Sequence, residues 1–526
     1  MNVSPPPQPG SPWRETYEYL VSEIGHEPRI EPQAAEGIFG FTISADVALD
    51  GYYHTNLTDF GDVDMWGDVD QLGDFNTPTP LLSIPLETWF GNNIYGYASF
   101  DLGANRTFND KSGQTGSNWY TNILMVPPSA IDDLNLNFPY RAFGSIGGDW
   151  WNISIGRDKL RWGPGEPGNL TVGDQIPYHN NARFTAFSKV FKYTFSISSF
   201  IHPMNYTDDK GNLNLKYSQN APRKGLSMFI AHRLEWRIFD KVNMALTESI
   251  MYQSEDNQFD FLVLSPTAIF HNYYIRSNAN SLLSFEFDWT FVDHWNLYGE
   301  AVIDEFKLPG EFTEDGPPSA YGFILGLKTS YPAGGGMFYG SLEGAYTYPY
   351  LYLRDDGDSY SGNGKYGINF IVATPEFTNH HANYTLDYLG YGYGNDSLVG
   401  NLILGYEKYG KWSIEGDFTY WADGCMDMNS KWVETTPGVD DPSAPTDEPD
   451  MGTDGDGGTW DSSDTDYSKR NAVAHWFIFT LRGSWTIVDK LDLTGQVRYV
   501  NVLNYGNMKG EKADDIQVSV GLSYSF

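Results

Sequence analysis

The chain has 526 residues, of which 16% are aromatic and 40% hydrophobic, and its mean hydropathy is -0.42. Its 68 acidic and 33 basic residues give a net charge of -35, which argues against nucleic-acid binding because phosphate backbones attract basic surfaces. The absence of a run of about 18 apolar residues excludes membrane-spanning helices, and the lone Cys425 excludes an internal disulfide. Many aromatic residues at low hydropathy favour a β-barrel, whose strands need only one apolar face.

Residues 1–37 precede the strand pattern and contain the signals of one short helix. Ser11 is a candidate N-cap and Pro12 takes the first helical position. The apolar stripe that follows comprises Trp13, Tyr17, Leu20, Val21 and Ile24. We expect a short periplasmic helix that packs under the barrel as a support, or that binds a partner. Because no basic and apolar leader follows Met1, we expect an export leader to have been removed.

Residues 38–526 are a succession of segments in which apolar and polar residues alternate between Gly, Asn, Asp and Pro turns. The last segment, residues 514–526, alternates without a break, and its apolar face comprises Ile516, Val518, Val520, Leu522, Tyr524 and Phe526. A tilted strand of about 9–11 residues crosses a bilayer, and a closed barrel leaves no unpaired edge in lipid. We therefore predict an all-β fold, a transmembrane antiparallel β-barrel in contact with outer-membrane lipid. Its aromatic C-terminal strand is expected to bind the barrel-assembly machinery.

Two hairpins predict a charged lumen. In residues 233–246 the outward positions are apolar, whereas the inward positions include Arg233, Glu235 and Arg237. In residues 285–304 the inward positions carry Glu286, Asp288, Glu300 and Asp304. Because neighbouring carboxylates repel one another, we expect Arg and Lys from adjacent strands to share the lumen with them. Such an interior fits a plug without a transport role, or a pore whose charges set its selectivity.

The pairing of the first hairpin also places His232 opposite Glu248 on the lipid-facing side. At mid-membrane a basic residue on that side costs about 2–4 kcal/mol, and an acidic residue costs less. We therefore expect this pair to lie beyond the apolar band, or a β-bulge to turn it inward.

Residues 151–170 combine a change of phase with a rigid turn. Alternate positions are first apolar, at Trp151, Ile153 and Ile155. The same face then carries the basic residues Arg157, Lys159 and Arg161. The strand must therefore leave the bilayer or bulge near Gly156. These cations, with Trp162 behind them, are candidates to bind an acidic glycan; alternatively they neutralise the acidic lumen.

The turn that follows offers no catalytic motif. Residues 163–168 match the pattern GxGxxG, but Pro164 and Pro167 have no N–H to offer a phosphate, and no helix-forming run follows. The motifs HExxH and GxSxG are absent, and the adjacent His380 and His381 would point to opposite faces of a strand. We predict that the protein is not an enzyme.

Residues 422–470 break the strand pattern with Pro, Gly, Ser and many aspartates, which predicts a long acidic extracellular loop. Weak candidates for Ca²⁺ ligands, here and in an earlier loop, are Asp454, Asp456, Asp355 and Asp358; the distal Glu of a calcium loop is missing. No other cofactor is predicted. Trp460 is a candidate to stack on sugars. Tyr346, Tyr348, Tyr350 and Tyr352 either stack on sugars or form a girdle at the membrane interface.

The segment from Gly156 to Gly165, with the spacing Gly-Arg-x-x-x-x-Trp-Gly-Pro-Gly, resembles the signature of the Wzi capsule-assembly family. Further matches follow in family order at residues 232–236, 246–248, 264–266, 280–282 and 297–305. The resemblance covers residues 142–308. It implies an 18-stranded outer-membrane barrel with periplasmic helices and with extracellular loops that occlude the lumen. The family-like residues, most of which we expect to hold the barrel's shape, are Gly156, Arg157, Trp162, Gly163, Pro164, Gly165, His232, Arg233, Glu235, Glu248 and Asp304.

The resemblance further implies a lectin that holds capsular polysaccharide at the cell surface. We therefore predict a non-catalytic outer-membrane barrel that binds surface polysaccharide or lipopolysaccharide and helps to anchor or assemble it. The acidic loop departs from the family, and it would repel an acidic capsule unless divalent cations bridge the two. The alternative is a passive porin-type channel for small solutes or sugars. An outer-membrane hydrolase has no motif in its favour.

Overall fold

The structure, a computed structural model, describes residues 39–56, 79–103, 119–123, 134, 136–207, 215–216, 223–239, 241–265, 270, 279–305, 320–354, 368–377, 382–428 and 472–526. The expected helix near Pro12 lies outside these ranges. Among the described residues, no helix has both the length and the apolar composition that a membrane crossing requires.

The described elements are β-strands joined by turns and a few single 3-10 turns. In chain order the strands are β1 Phe39–Ile43, β2 Asp46–His54, β3 Leu82–Phe90, β4 Ile94–Leu102, β5 Trp119–Thr121, β6 Ala142–Gly147, β7 Trp151–Asp158, β8 His179–Phe187, β9 Phe191–Phe200, β10 Leu226–Ile238, β11 Val242–Ser254, β12 Ala279–Val292, β13 Trp295–Glu305, β14 Ala320–Ala333, β15 Gly336–Thr347, β16 Ile371–Phe377, β17 Ala382–Tyr388, β18 Ser397–Lys408, β19 Trp412–Asp423, β20 Ala474–Val488, β21 Leu491–Leu503 and β22 Lys512–Ser525.

Antiparallel pairing of 18 strands closes the sheet into a barrel. The wall runs in chain order through β2–β4, β6–β15 and β18–β22, and it closes where β22 pairs with β2. Short β1 extends the first wall strand against β3. Short β5 pairs with the part of β2 that extends beyond β3, so this edge of β2 stays paired. The implied 18-stranded barrel is confirmed.

One end of the barrel carries only tight turns, such as residues 334–335 and 489–490, whereas the other end carries long connections. Short turns are typical of the periplasmic end of an outer-membrane barrel and long loops of the extracellular end. The C-terminal Phe526 lies at the tight-turn end, as expected when the last strand runs downward.

The predicted alternation of faces is present along the wall. On β22, Ile516 and Val520 are 43% and 53% exposed on the outside, whereas Asp515 and Gln517 are completely buried inside. Asp515 accepts hydrogen bonds from the backbone and side chain of Thr55 and contacts the His54 ring at 2.5 Å. These contacts fasten β22 to β2 at the seam of the barrel.

The extracellular half of the lumen is filled by protein. Two of the described connections supply most of the loop side chains in this filling: residues 159–178, here called the signature loop, and the described parts of residues 348–396, here called the infolded segment. The infolded segment contains the hairpin of β16 and β17, which forms a separate sheet inside the barrel. Both connections pack with inward side chains of the wall into one apolar core. Its large members include Trp162, Leu170, Phe229, Tyr298, Tyr352, Phe370, Tyr391, Trp421 and Trp476.

The β-bulge that was one expectation for His232 and Glu248 is absent. The two residues face each other across β10 and β11, and the pairing runs without a register shift, so no bulge turns them inward. On the same face their neighbours in the flanking strands are Phe195 and Leu283, so the pair is bordered by apolar side chains. Phe270 from the loop after β11 covers the His232 ring, and the centroids of the two rings are 4.9 Å apart.

Candidate binding site in the barrel lumen

The signature loop begins where the sequence predicts a break in β7. Gly156 has φ 144°, and a side chain there would overlap the backbone of Ala142 and Phe143 on β6. Only glycine adopts this conformation without strain. The chain nevertheless stays in the wall for two more residues, because Arg157 pairs with Asn180 and Asp158 with His179, where β7 ends.

Arg157 holds the rim of the barrel at that exit. Its guanidinium lies 3.8 Å from the Tyr178 ring and donates hydrogen bonds of 3.2 Å to the carbonyls of Asn137 and Pro139. A further bond of 3.2 Å joins Nε to Oδ1 of Asn180. The side chain thus ties two extracellular connections to the wall.

Lys159 and Arg161 are exposed, in contrast to Arg157. Arg161 donates to the carbonyl of Gly165 within the same loop and lies 3.7 Å from the Asp174 carboxylate. Lys159 follows directly after β7 at the extracellular end. Of the three predicted cations, Lys159 is therefore the one best placed to meet a ligand from outside.

Trp162 lies inside the core, 9% exposed. Its ring centroid is 6.1 Å from that of Phe229, and the Arg233 guanidinium lies 5.6 Å from the Trp162 ring. Arg233 in turn forms a bidentate pair with Glu286, in which Nη2 to Oε2 measures 2.8 Å. Trp162 therefore packs against the wall, and its faces are occupied by protein.

The Pro/Gly turn reaches down into the lumen and is held there by β14 and β15. Lys328 Nζ donates to the carbonyl of Pro164 at 2.8 Å and pairs with the Glu166 carboxylate at 2.7 Å. The backbone N–H of Glu166 donates to Glu343 at 2.9 Å. Gly163 has φ 126° and packs against Asn169, whose Oδ1 accepts from the Gly165 N–H at 2.8 Å. The turn is thus fixed in shape and in position.

Glu300, a predicted lumen carboxylate, anchors the end of the same loop. One of its oxygens accepts from the Leu170 N–H at 2.8 Å, and the other accepts from the N–H and hydroxyl of Thr171 at 2.9 and 2.7 Å. All three groups are buried. These bonds satisfy two buried backbone N–H groups, those of Leu170 and Thr171, which have no partner in a β-ladder.

Tyr352 joins the two inward connections. Its hydroxyl donates to the Leu170 carbonyl at 2.7 Å and accepts from the Tyr391 N–H at 3.0 Å, while its own N–H donates to Asp304 at 3.2 Å. Burial raises the pKa of Tyr352 well above its usual value, so the hydroxyl stays protonated and keeps its donor. From the sequence, Tyr352 was predicted to stack on sugars or to form part of a girdle; instead it is a central contact of the core. The girdle interpretation fits Tyr346, which is 38% exposed on the outside.

The signature loop and the infolded segment together form a plug. Below this plug, the periplasmic half of the lumen keeps open space. One cavity of about 450 Å³ is lined by residues that include Lys192, Arg233, Glu235, Arg237, Glu286 and Asp288. A second, of about 480 Å³, is lined by residues that include Glu166, Asn296, Lys328, Tyr339, Ser341 and Glu415. Glu235 pairs with Lys192 at 2.7 Å, and Arg482 Nε donates to Glu415 at 2.6 Å. The predicted sharing of the lumen by acidic and basic groups is present.

Several predicted residues lie outside the described ranges: Trp460, Asp454, Asp456, Asp355 and Asp358. In the part of the chain that the structure describes, no group of three or more His, Cys, Asp or Glu is arranged to hold a metal ion. Lys328, Glu343 and Tyr352 are contacts that the sequence analysis missed. The inward parity of Lys328 and Glu343 on their strands was the available signal, but their partner, the signature loop, is remote in sequence.

No family model matches the chain, and no curated protein matches it. Among solved structures, Wzi of Escherichia coli, described as a carbohydrate-binding β-barrel involved in group 1 capsule assembly, aligns over 99% of this chain and 90% of its own. The sequence identity is 13% and the TM-score is 0.50. The chain has a Wzi-like fold. The outer-membrane channel DcaP of Acinetobacter baumannii aligns over 93% of this chain and 97% of its own, with 9% identity and a TM-score of 0.36. OpdK of Pseudomonas aeruginosa aligns over 93% and 100%, with 11% identity and a TM-score of 0.39.

A closed antiparallel barrel of 18 strands with an apolar outer face is the architecture of bacterial outer-membrane proteins. One part of the plug, the signature loop, lies in the segment on which the sequence resemblance rests, and Arg157, Trp162, Arg233 and Asp304 all contact the plug or its rim. The arrangement is that of a packed support for the extracellular surface.

Proposed function

We propose that this Wzi-like barrel binds surface polysaccharide, capsular or lipopolysaccharide, and holds it at the cell surface without catalysing a reaction. The observation that carries the proposal is the packed plug. The signature loop and the infolded segment fill the extracellular half of the lumen with one apolar core. A filled lumen supports binding at the outer surface rather than passage through the barrel.

The net charge of the protein limits how it can bind an acidic glycan. With a net charge of -35, the protein repels acidic polymers at long range. Binding of an acidic glycan then depends on local cations such as Lys159, or on Ca²⁺ that bridges glycan and loop carboxylates, with Asp454, Asp456, Asp355 and Asp358 as the proposed ligands. Assembly is proposed to start from the barrel-assembly machinery through residues 514–526.

The test compares a strain that lacks the protein with its complemented parent. We expect polysaccharide to move from the cell-attached to the released fraction while total synthesis stays unchanged. In the complemented strain, Lys159→Ala should reduce attachment, whereas Lys189→Ala, which removes an equally exposed lysine from a periplasmic turn, should not. An unchanged attached fraction in the deletion strain would reject the proposal.

A porin-type channel is the second candidate, because the two charged cavities leave space in the periplasmic half of the lumen. Planar bilayers separate the candidates. Reproducible ohmic conductance from the wild-type protein, with selectivity that changes in Arg237→Ala, would favour the channel. Near-absence of conductance, together with polysaccharide release in the deletion strain, would favour attachment.

A further inference from the structure

An extracellular connection covers part of the lipid-facing wall of this barrel. Ile230 on β10 and Ile250 on β11 belong to the outward face, yet both are completely buried. The residues that cover them are Val263 and Phe270, which are also completely buried, together with Phe259 and Leu264. The connection after β11 therefore folds over the outside of the barrel.

The covered patch lies at the depth of the membrane. A tilted strand crosses the bilayer in about 9–11 residues, so Ile230 is within one crossing of Ile238, the last residue of β10 at the periplasmic end. Leu246, one outward position closer to the periplasm than Glu248, is 36% exposed and open to lipid. The covering segment consequently begins within the extracellular half of the apolar band.

The covering segment is held firmly. Asp260 accepts the Leu262 N–H at 2.9 Å and starts a 3-10 turn over Phe261–Leu264. The Tyr252 hydroxyl donates to the Gln258 carbonyl and accepts from the Asp260 N–H, both at 3.3 Å. These bonds fix which side of the turn faces the wall and which side faces away from it.

The side that faces away is apolar. Phe261 is 76% exposed and Leu262 is 52% exposed, whereas the residues before the turn are polar: Glu255, Asp256, Asn257 and Gln258. An isolated apolar side chain on a surface needs no explanation, but the Phe261 ring lies 5.5 Å from that of Phe259, which packs 5.8 Å from the ring of Tyr252 on the outward face of β11. A polar stretch followed by exposed apolar side chains on the outer face of the barrel is the arrangement expected at the top of a lipid leaflet.

We propose that residues 259–265 form an outer-leaflet anchor, in which Phe261 and Leu262 insert among the acyl chains of the surrounding lipid. The anchor would add a lipid contact outside the strands themselves. It would also keep lipid away from His232, whose ring is enclosed by Phe195 and Phe270 at 4.9 Å each. A polar residue could then persist in the lipid-facing wall.

The test measures the depth of a spin label. In a Cys425→Ser background, a nitroxide is attached to Phe261→Cys, and the barrel is placed singly in phospholipid nanodiscs. Collision with oxygen, which dissolves in hydrocarbon, is compared with collision with a water-soluble nickel chelate. Leu283→Cys serves as the lipid-facing control and Asn257→Cys as the aqueous control.

We expect the ratio of oxygen to nickel collisions at position 261 to match that at position 283 and to exceed that at position 257 by more than about tenfold, because hydrocarbon excludes polar solutes. A ratio equal to that at position 257 would place the turn in water and overturn the proposal. Dipolar broadening in vesicles at high protein density, with low collision rates for both reagents, would show that a second copy of the chain covers the turn, and this too would overturn it. All three labelled sites are exposed, so the substitutions leave the packed core intact.

Discussion

The two halves of the lumen differ in the side chains that occupy them. The extracellular half is filled by apolar and tyrosine side chains of the signature loop and the infolded segment. The periplasmic half is lined by paired charges around two cavities. The boundary is formed by Glu300 and Glu343, which accept backbone N–H groups of the signature loop from above. The comparison shows that lumenal charge here positions a plug, in addition to any effect on solutes.

Breaking the buried ion pair beneath Trp162 should have the largest effect. Arg233→Met leaves the Glu286 carboxylate buried without its bidentate partner, and losing one member of a buried pair costs about 3–5 kcal/mol. The measurement is the free energy of unfolding in urea, followed by heat-modifiable migration on gels. The double variant Arg233→Met/Glu286→Leu should recover most of the loss, because no charge is then stranded. Equal destabilisation of both variants would contradict this account.

A smaller loss is expected at the boundary itself. Glu300→Gln keeps the size of the side chain and one acceptor, but an amide NH₂ then faces the donors of Leu170 or Thr171, at a cost of about 1–3 kcal/mol. Faster hydrogen exchange at Leu170 and Thr171, with protection of the wall strands unchanged, would show that the loop has loosened. Asp288→Asn, below the plug, is the matched control and should leave exchange at these two amides unaffected.

The smallest effect should come from the tip of the plug. Lys328→Met removes the pair with Glu166 and the bond to Pro164, but both charged side chains are about one-third exposed, at 33% and 35%. Water screens such a pair, so we expect less than about 1 kcal/mol in urea unfolding. If the loss instead equals that of Arg233→Met, the tip would be as important as the buried pair, and burial would not explain the difference between the two ion pairs.

The sequence predicted the strands of the barrel wall more completely than the position of the loops that fill the lumen or cover the wall. Alternation along β10–β13 correctly placed Arg233, Glu286 and Glu300 inside, because a strand sends successive side chains to opposite faces. The same rule correctly paired His232 with Glu248. It could not find Phe270 above them, since a loop that returns over the outside leaves no period in the sequence.

The signature loop was recognised as a motif, but its role came from contacts that only folding creates. Its sequence suggested exposed cations and an aromatic residue for a glycan, and Lys159 and Arg161 are indeed exposed. Trp162 is buried because Phe229 and Arg233, remote in the chain, converge on it inside the barrel. Partners at such separation cannot be assigned from one sequence.

By itself, the sequence determined the barrel, its lipid-facing strands, its charged interior and the end of β7 soon after Gly156. Each of these follows from local rules: the two-residue period of a strand, the cost of charge in lipid, and the freedom of glycine at positive φ. Only the tertiary structure decided which segments plug the lumen and that one loop covers the outer wall. Both depend on which apolar surfaces meet, and the hydrophobic effect that joins them has no direction along the chain.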